Sequence, residues 1–299
     1  MRLVSRSWSV TRPNGHYAGD IERVSADLRG ERAWCDILKG ADAIIHLSSR
    51  TDLRAAEANP EADEQLNIEP VRSLVRAAER SGARPLVVFA SAVTIVGVNH
   101  ANPVDEKTPD NPCSVYDRHK LTCETLLQDA ARRGILRACS LRLANVYGFG
   151  GDPVNTNRSI LNAMMKRAVA GEALTLYGDG AYVRDFIHLN DVVEAFVAAI
   201  RLEQSCEGEH YVIATGQGHS LAEAFRLMAE EVSRLTGRHA EIRQVPEPPD
   251  LHPIERRNFI GDSRLFRSLT DWRPRVDLAS GIRDFVARSI THPVPGVIQ

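Results

Sequence analysis

Several features that would assign a chain to a membrane or a nucleic acid are missing here. No apolar run approaches the ~20 residues that a membrane-spanning helix needs. The 37 basic and 39 acidic residues nearly balance, so no excess of charge favours nucleic acid or an anionic membrane as a partner. The N-terminus is rich in Arg and Ser and lacks the apolar stretch of a signal peptide. The sequence therefore predicts neither a membrane nor a nucleic-acid partner.

Cysteine is scarce and scattered, at Cys35, Cys113, Cys123, Cys139 and Cys206. No two of these form a Cys-x-x-Cys pair, which argues against a zinc site and predicts that the protein holds no metal. Their odd number and wide spacing favour reduced thiols over a disulfide framework. We therefore expect a cytoplasmic protein.

Short apolar strands alternate with amphipathic helices in the first half of the chain. Residues 43–47 and 85–91 have the apolar runs of buried strands, and residues 64–80 and 116–133 have the apolar stripe of helices. Gly82 follows the first of these helices, as expected just past a helix C-terminus. This alternation predicts an α/β fold with a parallel sheet that is covered by helices on both faces.

From about Asn145 the pattern changes. Residues 148–153 form a glycine-rich loop, residues 160–170 and 221–236 are predicted helices, and residues 174–177 are a predicted strand. Prolines at 246, 248, 249 and 253 mark an irregular segment before the final elements. This half is predicted to form a smaller α+β lobe.

A tyrosine and a lysine four residues apart are the strongest chemical signal. Tyr116 and Lys120 lie in the segment Ser-Val-Tyr-Asp-Arg-His-Lys, residues 114–120, and on a helix they would share one face. An ammonium beside a phenol favours the phenolate, so Tyr116 could take or give a proton near neutral pH. Ser91 ends a predicted strand and could hydrogen-bond the same substrate oxygen. Such chemistry, in which a hydroxyl loses its proton while hydride leaves the carbon, is that of nicotinamide oxidoreductases.

Alone, this pair is weak, because Tyr-x-x-x-Lys arises by chance in many surface helices. Further segments, in order and spacing, make the chain resemble the NAD-dependent epimerase/dehydratase family of extended short-chain dehydrogenases/reductases, which act on nucleotide sugars. These segments are His-Leu-Ser-Ser at 46–49, Arg142 through Gly148, Arg184 through His188, and Asp-Trp-Arg-Pro at 271–274. The resemblance runs from about residue 20 to 290. It implies a doubly wound, Rossmann-like sheet, with a dinucleotide-binding domain at 1–144 and a substrate-binding lobe at 145–299 that partly returns to the first domain.

The family's opening strand and Gly-x-x-Gly-x-x-Gly turn have no counterpart here. That turn brings backbone N–H groups and a helix N-terminus to the pyrophosphate of the dinucleotide. Gly15 and Gly19 have the wrong spacing, and residues 1–7 resemble the family's second strand. Either the natural chain begins upstream, or this chain is a remnant that cannot bind dinucleotide tightly. The first is favoured because the rest of the pattern is intact.

The sequence leaves three alternatives for the third catalytic group, a hydroxyl beside Tyr116 and Lys120. The family places a Ser or Thr five positions before the glycine of its Val-Tyr-Gly pattern, and that position here is Ala92. Either Ser91 serves with a one-residue shift, or Thr94 does, or the hydroxyl is lost; we favour Ser91. Dehydratases of the family carry an Asp-Glu pair just after this point, where the chain has Val93 and Thr94. Dehydration is therefore disfavoured.

The resemblance also implies positions for cofactor and substrate. Lys120 would lower the pKa of Tyr116 and bond the nicotinamide ribose of NAD. Arg6, after the second strand, leaves NADP possible, because arginine could accept a 2′-phosphate. Further cofactor positions are Asp27 and Leu28 beside the adenine, Leu47, Ser48 and Ser49 along the dinucleotide, and Asn67 behind the active site. Substrate positions are Asn145, Tyr177, Arg184, and Arg257 or its neighbour Arg256.

Three functions follow from these features. The leading hypothesis is a nucleotide-sugar epimerase acting at C4, resembling UDP-glucose 4-epimerase, through transient oxidation by tightly bound NAD. The second is an NAD(P)-dependent sugar dehydrogenase or reductase with net cofactor turnover. The third is a non-catalytic remnant, which the absent glycine turn motivates. A homodimer is expected from the family alone.

Overall fold

A computed structural model describes residues 1–7, 19–149, 159–202 and 207–291. Most of the predicted loops at 14–19 and 148–153 lies outside the described residues, as does Cys206. The strands are β1 (Arg2–Ser5), β2 (Glu22–Ser25), β3 (Ala43–His46), β4 (Leu86–Ala92), β5 (Arg137–Leu143), β6 (Asn145–Tyr147), β7 (Leu174–Tyr177), β8 (Val183–His188), β9 (Glu207–Ile213), β10 (Gly218–Ser220) and β11 (Ile242–Val245). The helices are α1 (Glu31–Ile37), α2 (Leu53–Ala58), α3 (Pro60–Asn67), α4 (Glu69–Ser81), α5 (Val115–Arg132), α6 (Ile160–Val169), α7 (Leu189–Ile200), α8 (Leu221–Thr236), α9 (Arg264–Leu269) and α10 (Leu278–Thr291), with 3-10 turns at Val93–Val96 and Pro253–Arg256.

A parallel sheet in the order β3-β4-β5-β9 forms the centre of the first half. Successive side chains of a strand point to opposite faces, so Phe89 and Val88 of β4 enter different cores. Helix α5 covers one face through Leu127, and helix α7 covers the other through Phe196. The predicted α/β fold with a doubly wound parallel sheet is confirmed.

The sheet is split at one place. Strands β1 and β2 form a separate parallel pair, and within the described ranges neither β1 nor β3 has a strand on its other side. Ile45 in β3 and Leu47 just after it remain 40% and 61% exposed. Arg2 of β1 donates a hydrogen bond to the carbonyl oxygen of Ile37, at the end of α1, at 3.0 Å. In a doubly wound sheet one strand lies between these two positions, so the split coincides with the predicted missing strand.

Residues 64–80 form parts of two helices, so the prediction of one continuous helix is wrong. Helices α3 and α4 meet at Ile68. Pro70 has no N–H, so the helical bond to the carbonyl of residue 66 cannot form. Proline is tolerated in the first turn of a helix, and Pro70 lies in the first turn of α4. Gly82, at φ 67°, ends α4 as predicted.

A second core lies in the C-terminal half. Met165 of α6, Phe225 of α8 and Phe285 of α10 pack together there. Strand β8 pairs with β6 and β10, and β7 pairs with β11. Strand β9 joins the first sheet, so the C-terminal half contributes to both cores. The division at residues 144 and 145 stays a prediction.

Among the described residues, no helix is long and apolar enough to cross a membrane. The same part of the chain contains no group of three or more His, Cys, Asp or Glu side chains arranged to hold a metal ion.

Candidate active site

The start of helix α5 is fixed by three polar side chains. Ser114 is the N-cap, and its Oγ accepts from the Asp117 N–H at 3.0 Å. In return, the hydroxyl donates to Asp117 Oδ2 at 2.6 Å. Glu57 of α2 accepts from the Val115 N–H at 2.7 Å. These bonds satisfy N–H groups that a helix leaves unpaired at its N-terminus, and they hold Tyr116 in the first turn.

Tyr116 and Lys120 lie on one face of α5, as their spacing predicts. Lys120 Nζ is 5.6 Å from the centroid of the Tyr116 ring and 4.6 Å from that of Phe89. The ammonium donates to the Ala90 carbonyl oxygen at 2.7 Å. Burial lowers the pKa of Lys120 to about 8, against the opposing influence of nearby acidic groups. Lys120 is therefore still mostly a cation at neutral pH, and it is fixed between β4 and the tyrosine.

The candidate hydroxyls after β4 have different surroundings. Ser91 is 4% exposed, and its Oγ is buried without a hydrogen-bond partner among the described residues. Thr94 instead donates to Asp117, whose pKa burial raises. Val93 is buried in the core. The structure thus leaves the Ser91 hydroxyl uncommitted and ties up that of Thr94.

The loop after β3 is held by one amide. Asn67 Oδ1 accepts from the Arg50 N–H at 2.7 Å and from Ser49 Oγ at 3.1 Å, and its Nδ2 donates to the Arg50 carbonyl oxygen at 3.1 Å. Leu47 and Ser48, earlier in the same loop, are exposed. Asn67 therefore fixes the part of the loop that carries Ser49.

Asp27 and Leu28 lie in the turn after β2, beside the separate pair of strands. The guanidinium of Arg29 bonds Asp27 and lowers the pKa of that carboxyl to about 2. Leu28 accepts from Trp34 Nε1 through its carbonyl oxygen at 2.8 Å. Arg6 follows β1, and its carbonyl oxygen accepts from Ser25 Oγ at 3.1 Å.

The predicted substrate arginines occupy one buried cluster. Arg257 Nη2 donates to Asn145 Oδ1 at 3.3 Å, while its Nε is buried without a partner among the described residues. Arg184 donates to the carbonyl oxygens of Glu255 and Arg257, and burial lowers its pKa to about 9. Arg184 therefore supports the segment that carries Arg257. The structure does not bring Tyr177 into this cluster by any described hydrogen bond, and its side chain is 43% exposed at the end of β7.

Neighbouring polar residues have partners of their own. Arg256 pairs with Glu247 at 3.1 Å, so it is not the arginine beside Asn145. His188 caps α7 by accepting from the Asn190 N–H at 3.3 Å. Asp185 accepts from Thr215 and backbone N–H groups, not from Arg184.

Sequence reasoning missed Asp63, Asp117 and His119. The Ser-x-x-Asp spacing of Ser114 and Asp117 is a visible helix-start signal. Asp63 lies four residues before Asn67 and shares its helical face. His119 stands between the tyrosine and the lysine, but its bond to Asp63 at 2.8 Å joins positions far apart in sequence.

Known proteins resemble the chain over most of its length. The profile described as NAD dependent epimerase/dehydratase family matches residues 3–214. UDP-glucose 4-epimerase of Mycolicibacterium smegmatis is 28% identical over 263 residues, which cover 87% of this chain and 78% of that protein. UDP-glucuronic acid decarboxylase 3 of Arabidopsis thaliana is 26% identical over 250 residues, with 82% and 69% covered. The crystal structure of UDP-glucose 4-epimerase with UDP-glucose from Thermotoga maritima superimposes with a TM-score of 0.84 at 25% identity, over 97% of this chain and 90% of that one.

Proposed function

Since the chain belongs to the NAD-dependent epimerase/dehydratase family, we propose that it is a nucleotide-sugar epimerase acting at C4. The observation that carries this proposal is a single acid–base pair, Tyr116 with the buried Lys120. Elimination of water needs an additional acid and base, and Val93 and Thr94 cannot supply them. The carboxylate of Asp117 is buried and bonded to Ser114 and Thr94. Epimerisation needs no second pair.

In this proposal Tyr116 removes the proton of the C4 hydroxyl and later returns it. Lys120 stabilises the phenolate by its positive charge. Ser91 donates a hydrogen bond to the same sugar oxygen, for which its uncommitted hydroxyl is suited. Bound NAD supplies a reversible hydride acceptor at C4. Because proton and hydride both return to the sugar, no cofactor is consumed.

The residues after β3 fit a dinucleotide. Leu47 offers exposed apolar surface for a flat ring, and Asn67 holds the loop in place. We expect Leu47, Ser48 and Ser49 along the cofactor, and Asp27 and Leu28 at the adenine. The choice between NAD and NADP would depend on Arg6, whose position after β1 suits a 2′-phosphate.

For the substrate, we propose that Arg257 and Asn145 contact the nucleotide diphosphate. A guanidinium forms planar, charge-assisted bonds to phosphate, and the Arg257 Nε is still unpartnered. Arg184 holds the segment of Arg257 in place, and Tyr177 would approach the base from the exposed end of β7. The lobes are expected to divide near residue 144, and the protein to form a homodimer.

The test is an assay of purified protein with UDP-glucose or UDP-galactose and no added reductant. Interconversion of the two sugars without net formation of reduced cofactor is the expected result. Cofactor reduction in step with product would reject epimerisation in favour of a dehydrogenase. UDP-glucuronic acid belongs in the same assay, because release of carbon dioxide would identify a decarboxylase instead.

The split between β1 and β3 favours one competing function, a non-catalytic remnant. The sequence has no Gly-x-x-Gly-x-x-Gly turn to supply backbone N–H groups to a pyrophosphate. Calorimetry with NAD and with NADP distinguishes the two. Binding of either dinucleotide supports the enzyme, whereas no binding at millimolar concentration leaves the remnant.

A further inference from the structure

His119 and Asp63 form a buried pair beside the loop that follows β3. Asp63 is 0% exposed, and its Oδ2 lies 2.8 Å from His119 Nδ1 and 2.8 Å from Asn67 Nδ2. The side chain of His119 is 12% exposed. A buried carboxylate is unfavourable unless hydrogen bonds compensate for the lost water. Here the donors are Asn67 and, with the proton on Nδ1, His119.

The amide of Asn67 connects this pair to the loop. Its Oδ1 accepts from the Arg50 N–H at 2.7 Å and from Ser49 Oγ at 3.1 Å, and its Nδ2 donates to the Arg50 carbonyl oxygen at 3.1 Å. The second N–H of the same Nδ2 group goes to Asp63. A reversed amide would bring its oxygen against the carboxylate of Asp63. Asp63 therefore fixes the amide in the orientation that binds the loop.

The other end of the connection lies on the helix that carries the proposed acid–base pair. His119 is three residues after Tyr116 and one before Lys120 on α5, and α3 packs against this helix. Cys123 shares a face of α5 with His119, and its Sγ donates to the Asn67 carbonyl oxygen at 3.4 Å. Helix α5 thus holds Asn67 at two points, through Asp63 and directly.

We propose that His119 and Asp63 are positioning residues, which fix the loop after β3 at a constant distance from Tyr116. Oxidation of one carbon atom needs the base and the hydride acceptor on that carbon at the same time, so the loop along the cofactor and the catalytic helix have to be held together. The consequence for the dinucleotide rests on the proposed function. The connection between loop and helix concerns this chain alone and is testable without cofactor.

Hydrogen exchange of the Arg50 N–H, followed by NMR in the cofactor-free protein, tests the connection. His119→Leu removes the donor to Asp63, and the Arg50 N–H should then exchange about tenfold faster or more, the lower end of the effect of a hydrogen bond to a charged group. The reference is the Glu223 N–H, which is bonded to Ser220 Oγ at 3.1 Å at the start of α8. A local loosening should leave its rate within about twofold.

Two more variants separate positioning from a general loss of stability. In His119→Asn the Nδ2 group branches from Cγ as Nδ1 does in histidine, so it can donate to Asp63 from the same place. Thr125→Val is the control on the same helix, because the Thr125 hydroxyl donates only to the Leu121 carbonyl oxygen of α5, at 3.0 Å. By calorimetry the Kd of NAD should rise about tenfold in His119→Leu and stay within about threefold in the other two variants.

An unchanged Arg50 exchange rate in folded His119→Leu overturns the proposal, as does an equal acceleration of the Glu223 N–H. A His119→Asn protein that is as impaired as His119→Leu also overturns it. If His119→Leu does not fold, the ring nitrogens of ¹⁵N-labelled His119 in the unaltered protein decide. A proton on Nδ1 supports the arrangement, and a neutral ring with its proton on Nε2 overturns it.

The two proposals fail separately. If the protein epimerises sugars but His119→Leu changes neither the Arg50 exchange rate nor the Kd of NAD, the positioning role is refuted and the proposed function stands. If Arg50 exchange responds as expected in a protein that binds neither dinucleotide, the connection between loop and helix stands and the proposed function is refuted.

Discussion

Replacing Arg142 with methionine is expected to destabilise the protein strongly. Arg142 is 1% exposed, and its guanidinium lies between two carboxylates. It bonds Glu124 through Nε at 3.0 Å and Nη2 at 2.6 Å, and Asp110 through Nη1 at 2.6 Å and Nη2 at 3.0 Å. These carboxylates favour the charged form, so the pKa of Arg142 is raised despite burial.

The magnitude follows from what the substitution leaves behind. Glu124 is 8% exposed, so without Arg142 its carboxylate is buried beside Asp110 and loses the cation that is hydrogen-bonded to it. Removing one partner of such a pair costs about 3–5 kcal/mol. Replacing Glu124 by leucine as well removes the isolated charge, and the double variant should be more stable than Arg142→Met by about 1–2 kcal/mol.

The free energy of unfolding is measured by urea titration followed by circular dichroism. Arg72→Met is the control, because Arg72 pairs with Glu64 at the surface with both side chains 37% exposed. Arg72→Met should lower the free energy of unfolding by less than about 1 kcal/mol. If Arg142→Met lowers the free energy of unfolding by no more than this control does, the reasoning about buried charge is refuted.

Three further predictions concern the site. The protonated form of Lys120 is the active one, and it is lost as the pH rises through the Lys120 pKa of about 8. We therefore expect kcat to be constant below about pH 7.5 and to fall about tenfold per pH unit above pH 8. An undiminished kcat at pH 10 would contradict this. Ser91→Ala should lower kcat about 10²-fold with little change in KM. If Thr94→Val lowers kcat by as much or more, Thr94 is favoured over Ser91 as the third catalytic group. Thr94→Val should instead lower stability by about 1 kcal/mol, measurable by urea titration, because its hydroxyl donates to Asp117.

Local patterns predicted the elements that carry the site. The apolar stripe at 221–236 became α8 with the predicted bounds, and the predicted helix at 116–133 differs from α5 by one residue at each end. The break at Ile68 was missed because an apolar stripe continues across it, although the missing N–H of Pro70 interrupts the hydrogen bonds.

Sequence patterns did not predict hydrogen bonds between residues that lie far apart in the chain. The Tyr116–Lys120 pair is local to one helix and was predicted from spacing. The bond from His119 to Asp63 joins residues 56 apart. Arg184 was expected at the substrate, yet its described acceptors are backbone carbonyl oxygens, which residue types do not predict.

The most direct test of the account is the rate of UDP-sugar interconversion by Tyr116→Phe. The phenyl ring keeps the packing and removes only the hydroxyl. We expect kcat to fall by about 10³-fold or more, within the range of acid–base catalysis. The Kd of the UDP-sugar, measured by calorimetry, should stay within about threefold of that of the unaltered protein, a change of under about 1 kcal/mol in binding free energy. A Tyr116→Phe protein that retains more than a tenth of the original kcat would contradict the account.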